Sequence, residues 1–501
     1  MSTPAAGKLS VGALTALVVG SMIGAGIFSL PATFGRASGG FGAIIAWLIA
    51  GAGMLMLAFV FQTLAQRRPD LDSGIYAYAS AGFGNYLGFV SAFGFWAGTC
   101  IGNVSYFILI KSTLGAFFPV FGDGNTVIAI VVSSLLLWGF HCLVLRGVQE
   151  AAVINSIATV AKMIPILVFV IVVAVAFDRE LFVLNFWGGV AAISPDPDLA
   201  HLDDYGRVGH AAAELVRVPQ ESLFEQVRST MLVTVFVFLG IEGASVYSRH
   251  ARNPRDVGVA TVLGFVGVLC LLILITLLSY GVLLRPELAA LRQPSMAGVL
   301  ELIVGRWGAI FISIGLIVSV LGAFLSWTLL ACEVLHAAAE DQAMPRLLTR
   351  ENAQGVPSAA LWLTSLFVQL FLILTFFTEA AFTLALELTS SLTLVPYLLV
   401  AAYAVKLARS GETCEDGVGR RKDLLIAVLA TAYAVLMVFA GGLKYLLLSA
   451  LIYAPGTLLY LQARREQGLA AFNGRERVVF AVVLLGAVVA LAGLLGGWIL
   501  L

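Results

Sequence analysis

Charged residues are scarce in this sequence, at 12% of its 501 positions, whereas soluble domains carry about 25%. This scarcity indicates that much of the folded surface does not face water. Lysine and arginine together number 29, and so do aspartate and glutamate, which gives a formal net charge of zero. The sequence therefore lacks an overall basic field, and we expect no nucleic-acid partner.

Cysteines and catalytic motifs are also sparse. The five cysteines form no CxxC pair and no regular framework, so neither a disulfide scaffold nor a structural zinc site is expected. The sequence contains no HExxH, GxSxG or GxxxxGKS/T pattern, and its five histidines are dispersed. These absences argue against a membrane enzyme or an ATP-driven pump, and we expect no metal and no cofactor.

Apolar runs dominate what is present, because 60% of the residues are hydrophobic. Many runs reach the ~20 residues needed to cross ~30 Å of hydrocarbon. They are continuous rather than alternating, which indicates helices, because in lipid only helices or closed barrels pair every backbone group. The pattern predicts thirteen spans, near 11–35, 41–65, 83–110, 126–145, 151–177, 229–248, 258–284, 303–336, 358–378, 381–406, 424–441, 443–463 and 478–500.

Lysine and arginine predict the orientation of these spans. With the N-terminus in the cytoplasm, 18 lysines and arginines lie in inner segments and 8 lie in outer segments, as the positive-inside rule requires. The first apolar run, Val11 to Pro31, is long for a signal peptide and has no evident cleavage site, so we interpret it as the first span. A thirteenth span would place the C-terminus outside.

An acidic segment, 178–228, follows the fifth span on the predicted outer side. It carries nine acidic residues against four arginines. It is either a solvated connection or a vestibule that concentrates cationic solutes. The vestibule hypothesis predicts uptake that falls as ionic strength rises.

Two spans contain glycines clustered at mid-membrane. The first reads Gly20-Ser21-Met22-Ile23-Gly24-Ala25-Gly26-Ile27-Phe28, and the sixth reads Phe238-Leu239-Gly240-Ile241-Glu242-Gly243-Ala244-Ser245. Small residues can serve close helix packing. Alternatively, each helix is interrupted, and its freed N–H and C=O groups line a cavity that holds a carboxylate and an amine. The matching positions of the two clusters, which open consecutive groups of five spans, favour interruption.

Ionisable and aromatic side chains within spans are further candidates. Glu242 can pair with a cationic ligand, carry a proton or form a structural ion pair. Lys162, in the middle of the fifth span, is either functional or reaches toward an interface. Trp327 and Phe236 can stack on a cation, although aromatic residues in membrane helices more often serve packing.

The segment from Gly20 to Pro31 resembles the amino acid–polyamine–organocation superfamily, and more narrowly its bacterial basic amino acid antiporters. The supporting segments are Gly240-Ile241-Glu242-Gly243-Ala244, Ala251-Arg252-Asn253-Pro254, Trp327-Thr328-Leu329-Leu330 and Leu394-Val395-Pro396-Tyr397. The resemblance implies an all-α membrane protein with a LeuT-like bundle of two inverted five-helix repeats, in which helices 1 and 6 are broken. The site would lie between spans one, three, six, eight and ten. A thirteenth span departs from the twelve that are common.

The resemblance also implies roles for individual residues. The unwound first span would hold the substrate carboxylate and amine, Trp327 would stack on a guanidinium, and Lys162 would stand where sodium lies in related carriers. Phe236 replaces a tryptophan of the arginine/agmatine kind, a departure that disfavours agmatine. The implied substrate-binding residues are Ser21, Ile23, Ala25, Gly26, Gly98, Thr99, Asn103, Phe236, Gly240, Glu242, Trp327, Thr389 and Ser390. The implied gating or proton-linked residues are Glu242 and Lys162.

The expected function is exchange of cationic amino acids across a bacterial inner membrane, with arginine for ornithine as the leading hypothesis. Exchange of arginine or lysine for an amine, and proton-coupled uptake, are the alternatives; a channel or an enzyme is disfavoured. The expected partners are small cationic amino acids, the lipid bilayer and a second copy in a homodimer. The predicted units are a first repeat at 1–177, an outer loop at 178–228, a second repeat at 229–407 and accessory helices at 408–501.

Overall fold

The computed structural model describes residues 11–71, 74–147, 149–188, 190–193, 214–217, 221–241, 254–378, 380–412 and 417–499. These residues are almost entirely helical. In chain order the α-helices are α1 (Val11–Met22), α2 (Leu30–Ala37), α3 (Gly40–Arg67), α4 (Ile75–Phe83), α5 (Asn85–Phe117), α6 (Val127–Leu145), α7 (Gln149–Val175), α8 (Arg179–Phe186), α9 (Leu223–Val237), α10 (Pro254–Ser279), α11 (Arg285–Ala290), α12 (Ser295–Val304), α13 (Arg306–Glu340), α14 (Ser358–Leu374), α15 (Ala381–Ser410), α16 (Gly417–Glu466) and α17 (Gly474–Leu495).

Four short 3-10 segments and one pair of strands complete the described structure. The 3-10 segments are Ala25–Ser29, Pro119–Phe121, Arg346–Thr349 and Thr375–Phe377. The strands β1 (Val190–Ile193) and β2 (Glu214–Arg217) pair antiparallel. They lie in the segment predicted as an outer loop, and they depart from the all-α prediction without altering the helical bundle.

Nine helices in the described part of the chain are long and apolar enough to cross a membrane. They are α3, α5, α6, α10, α13, α14, α15, α16 and α17. The count becomes ten if α1 and the helical segment Ala25–Ala37, bent by 51°, form one span. Their length and composition make the chain a multi-pass membrane protein, as the apolar runs predicted.

The other predicted spans coincide with helices of different character. The fifth is α7, which has 27 residues and contains Pro165. The sixth begins with α9, of 15 residues. The eleventh and twelfth are joined in α16, where Gly442 adopts φ 72° and ψ 175° and separates two helical parts. The total of thirteen spans stays a prediction.

Helix α5 lies at the centre of the bundle and α17 at its edge. Of the most apolar stretch of α5, 94% is buried in the protein, against 17% for α17. Glycines allow neighbouring helices to approach α5 closely: a Cβ at Gly98 would lie 2.7 Å from Thr393 Oγ1 of α15. Helix α5 can therefore present side chains to the interior of the bundle along its whole length.

The first apolar segment is interrupted near its middle. Helix α1 ends at Met22, and Gly24 has an extended backbone, with φ −113° and ψ −154°. A 3-10 turn then leads into α2, where Pro31 falls in the first turn and costs no hydrogen bond. The glycine cluster thus coincides with a real break in the helix, located at Gly24.

The end of α9 meets this break. Beyond Val237 the chain turns, and Gly240 adopts φ +100°. Ser21 Oγ donates to the Gly240 carbonyl at 3.0 Å, and a Cβ at Gly240 would lie only 2.5 Å from the Ser21 carbonyl oxygen. Glycine is required here by both its backbone conformation and this close approach. Glu242 and the rest of the second glycine cluster lie outside the described residues.

The acidic segment is described only in part. Of its nine acidic residues, Asp196, Asp198, Asp203 and Asp204 lie outside the described ranges. Asp178 caps α8 by accepting from the Glu180 backbone N–H at 2.7 Å, and Glu225 pairs with Arg228 at 3.2 Å. Two of the acids therefore have local structural partners, and the vestibule hypothesis stays a prediction.

Candidate functional site

A cavity lies where the interrupted first segment meets helices α5, α9, α10, α13 and α15. Residues 21–27, which include the end of α1, Gly24 and the start of the 3-10 turn, form one wall. A second wall is one face of α5. The cavity thus adjoins the place where the helical backbone is broken.

The α5 face follows helical periodicity. Phe95, Thr99, Gly102, Asn103 and Tyr106 line the cavity, and their spacing of three or four residues places them on one side of a helix. Together they cover about three turns of α5.

The remaining walls combine aromatic, hydroxyl and aliphatic groups. Helix α13 contributes Trp327, and α15 contributes Thr389 and Thr393. Phe236, close to the end of α9, and its neighbours Val237 and Leu239 close another side. Val268 and Leu272 of α10, one turn apart, complete the apolar surface.

The aromatic rings that line the cavity are suited to contact a cation. Phe95, Tyr106, Phe236 and Trp327 all line it, and a guanidinium or ammonium is attracted to the face of such rings. Among the described lining residues there is no aspartate, glutamate, lysine, arginine or histidine. The groups that these described residues can offer to a cation are therefore ring faces and neutral polar atoms.

Two lining side chains carry buried oxygens without a hydrogen-bond partner among the residues that the structure describes. They are Asn103 Oδ1 and Thr389 Oγ1. The amide nitrogen of Asn103 donates to Thr328 Oγ1 at 3.2 Å, which directs the side chain across to α13. Buried polar atoms are nearly always paired, so these two oxygens are suited to accept hydrogen bonds from a bound donor.

Lys162 holds the broken end of α1. Its side chain is buried, and Nζ donates to the carbonyls of Gly20 at 2.5 Å and Ile23 at 2.7 Å. Carbonyls in the last turn of a helix lack an intrahelical donor, and a cation there is favoured by the helix dipole. Lys162 of α7 therefore stabilises the interruption from behind the cavity wall.

Nine of the predicted substrate-binding residues line the cavity: Ser21, Ile23, Ala25, Gly26, Thr99, Asn103, Phe236, Trp327 and Thr389. Three others lie elsewhere. Gly98 packs against α15, and Gly240 accepts the Ser21 hydroxyl through its carbonyl. Ser390 Oγ donates to the Leu232 carbonyl at 2.6 Å, which directs it toward α9. The roles of all these residues stay predictions.

Several lining residues were not predicted from the sequence, among them Met22, Gly24, Tyr106, Val268 and Leu272. Tyr106 could have been found by extending the spacing of Thr99 and Asn103 along α5 by one further turn. Val268 and Leu272 give no comparable signal, because aliphatic residues occupy every face of an apolar membrane helix.

The sequence is similar to known amino acid carriers over most of its length. The family model for amino acid permeases matches residues 9–462. An arginine/ornithine antiporter of Pseudomonas aeruginosa is 51% identical over 100% of both chains. An L-lysine transport protein of Corynebacterium glutamicum is 41% identical over 98% of this chain and 95% of the relative. An arginine/agmatine antiporter of Chlamydia felis is 38% identical over 91% and 89%. The resemblance inferred from the glycine-rich segment is confirmed.

Proposed function

Because the chain belongs to the amino acid permease family, we propose that it is a secondary transporter that exchanges arginine for ornithine by alternating access. The observation that carries the proposal is the cavity at the Gly24 break, which joins a helix interruption to four aromatic rings. The 51% identical relative, an arginine/ornithine antiporter, supports this pair of substrates.

The two ends of the substrate would meet different parts of the cavity. The helical segment Ala25–Ala37 begins at the break, and the N–H groups of its first turn favour a carboxylate. The carbonyl end of α1 favours the α-amine. The cationic side chain would lie against Trp327 and Phe236, with Asn103 Oδ1 and Thr389 Oγ1 as acceptors.

Exchange of arginine for ornithine needs no external energy source. Both substrates carry a net charge of +1, so a one-for-one cycle moves no net charge. Glu242 is proposed as a gating or proton-linked acid from its place in the second glycine cluster. An amine product carries one more positive charge than its amino acid, so exchange for an amine would depend on membrane voltage.

The architecture proposed for this mechanism is the LeuT-like bundle of inverted five-helix repeats. Residues 1–177 would form the first repeat and 229–407 the second, with the outer segment 178–228 between them and accessory helices at 408–501. The N-terminus would lie in the cytoplasm of a bacterium, with the spans in its inner membrane and the substrate site between the repeats.

Exchange in liposomes tests the proposed function. Purified protein is reconstituted into vesicles loaded with ornithine, agmatine, cadaverine or buffer, and entry of labelled arginine or lysine is followed. We expect rapid arginine entry with internal ornithine, little entry into buffer-loaded vesicles and no effect of an imposed voltage. Equal entry into buffer-loaded vesicles, or entry driven by a proton gradient, would contradict arginine/ornithine exchange.

The same vesicles distinguish the other carrier functions. Arginine entry that prefers internal agmatine and responds to voltage would indicate arginine/agmatine exchange, the activity named for the Chlamydia felis relative. Lysine entry that prefers internal cadaverine would indicate the corresponding lysine exchanger. Protein-free vesicles control for leakage of label.

A further inference from the structure

The hydroxyl group of Tyr106 lies directly at the helix break. Tyr106 projects from α5, is only 6% exposed, and lines the cavity. Its hydroxyl oxygen is 3.3 Å from the position that a Cβ on Gly24 would occupy. Gly24 is the residue with extended backbone between α1 and the 3-10 turn. The absence of a side chain at Gly24 therefore leaves the Tyr106 hydroxyl next to the interrupted backbone.

The serine hydroxyls near the break already have partners. Ser21 Oγ donates to the carbonyls of Val18 at 2.9 Å and Gly240 at 3.0 Å. Ser29 Oγ donates to the Gly26 carbonyl at 2.7 Å. Ala25 has no hydroxyl. The Tyr106 hydroxyl, in contrast, has no hydrogen-bond partner among the described residues, so its proton is available to a bound molecule.

The nearby backbone favours an anion. The helical segment Ala25–Ala37 begins one residue after Gly24, and the first N–H groups of a helix have no partner within it. The hydroxyl of Tyr106, a residue that is more than nine-tenths buried, adds a donor from a different helix at the same point. A carboxylate can accept hydrogen bonds from both, because each of its oxygens has two lone pairs.

We propose that Tyr106 recognises the α-carboxylate of the substrate and thereby makes the site select cationic amino acids over the amines formed from them by decarboxylation. This inference rests on the proposed function and deepens it. The Tyr106 hydroxyl donates to the carboxylate while the helix start at Ala25 supplies backbone N–H groups. An amine lacks the carboxylate and gains nothing from either donor.

Three ligands and one conservative substitution test this selectivity. Binding of arginine, argininamide and agmatine is measured by calorimetry on purified protein in detergent; argininamide keeps the α-amine and guanidinium but has no anionic carboxylate. Wild-type protein should bind arginine at least about tenfold more tightly than either analogue, since hydrogen bonds to charged groups are the strong ones. Tyr106→Phe should weaken arginine binding about tenfold and leave agmatine binding within about twofold.

Tyr433→Phe is the matched control, because Tyr433 is a buried tyrosine of α16 that does not line the cavity. It should preserve the arginine/agmatine preference. The inference is overturned if Tyr106→Phe weakens arginine and agmatine equally, or changes neither. It is also overturned if wild-type protein binds argininamide as tightly as arginine, a result that does not depend on whether the variant folds.

The proposed function and this inference fail separately. Wild-type vesicles that exchange no arginine for ornithine would refute the proposed function. Vesicles that exchange the two normally, with the same preference for arginine over agmatine in wild type and Tyr106→Phe, would refute only the role of Tyr106.

Discussion

Removal of the Lys162 ammonium tests whether the helix break needs a cation to keep its shape. Lys162→Met retains most of the side-chain volume but deletes both donors to the Gly20 and Ile23 carbonyls. We expect exchange to slow, because the end of α1 forms a wall of the cavity and would no longer be held by α7.

The magnitude follows from the two lost hydrogen bonds. A buried acceptor left without its donor costs about 1–3 kcal/mol, so two of them cost about 2–6 kcal/mol. Two effects reduce this cost: Gly20 is only partly buried, and the substitution also removes a charge that was costly to bury. We therefore expect about 2 kcal/mol, which corresponds to about a 30-fold fall in exchange rate.

The assay is initial arginine entry into ornithine-loaded vesicles, normalised to reconstituted protein. Lys162→Arg should recover part of the rate, because it keeps a cation near the carbonyls. Lys111→Met is the matched control: Lys111 is equally buried, but its Nζ donates to Thr375 Oγ1 at 2.9 Å, away from the break. Its rate should stay within about threefold of wild type.

A wild-type rate for Lys162→Met would refute the reasoning and reduce Lys162 to a packing residue. An equal loss for Lys162→Met and Lys111→Met would also refute it, because any buried lysine would then have the same effect.

Three other substitutions test separate parts of the site. Gly26→Ala should reduce the exchange rate at least about tenfold, because the new Cβ would lie 2.7 Å from Val237 Cγ1. Gly12→Ala is the control and should leave the rate unchanged, because a Cβ at Gly12 would have no atom within 4 Å. Equal rates for the two variants would contradict this steric argument. Trp327→Ala should raise the apparent KM for arginine about tenfold through loss of a cation–π contact, and an unchanged KM would exclude stacking. Glu242→Gln should leave the protein folded but alter the exchange rate or its pH profile in the same vesicles; a wild-type rate and profile would remove Glu242 from the mechanism.

Charge placement limited the prediction of helix ends. The third predicted span, 83–110, stops at the residue before the charged Lys111. Helix α5 instead continues to Phe117. Lys111 is buried and bonded to Thr375 of the neighbouring helical element, so the charge does not end the helix. A hydrogen-bond partner that is distant in sequence thus offsets the free-energy cost of burying a charged residue within the helix.

The first glycine cluster predicted the helix break, whereas the site residues of α5 came from the family resemblance. Thr99 and Asn103, which that resemblance implied, lie on the face of α5 that lines the cavity. Gly98 and Ser390 are adjacent to lining residues but point toward neighbouring helices. In an apolar membrane helix the polar residues are too few to fix which face is which, so a one-residue error rotates a side chain by about 100°.

By itself, the sequence determined that the chain crosses a membrane many times as helices, because apolar runs of that length have no other way to pair their backbone in lipid. It also determined where the first helix is weak, because clustered glycines lose helix stability locally. Only the tertiary structure decided that Lys162 caps the break and that Tyr106 reaches Gly24. Both depend on which helix faces pack together, and that is set by contacts between residues more than 80 positions apart in the chain.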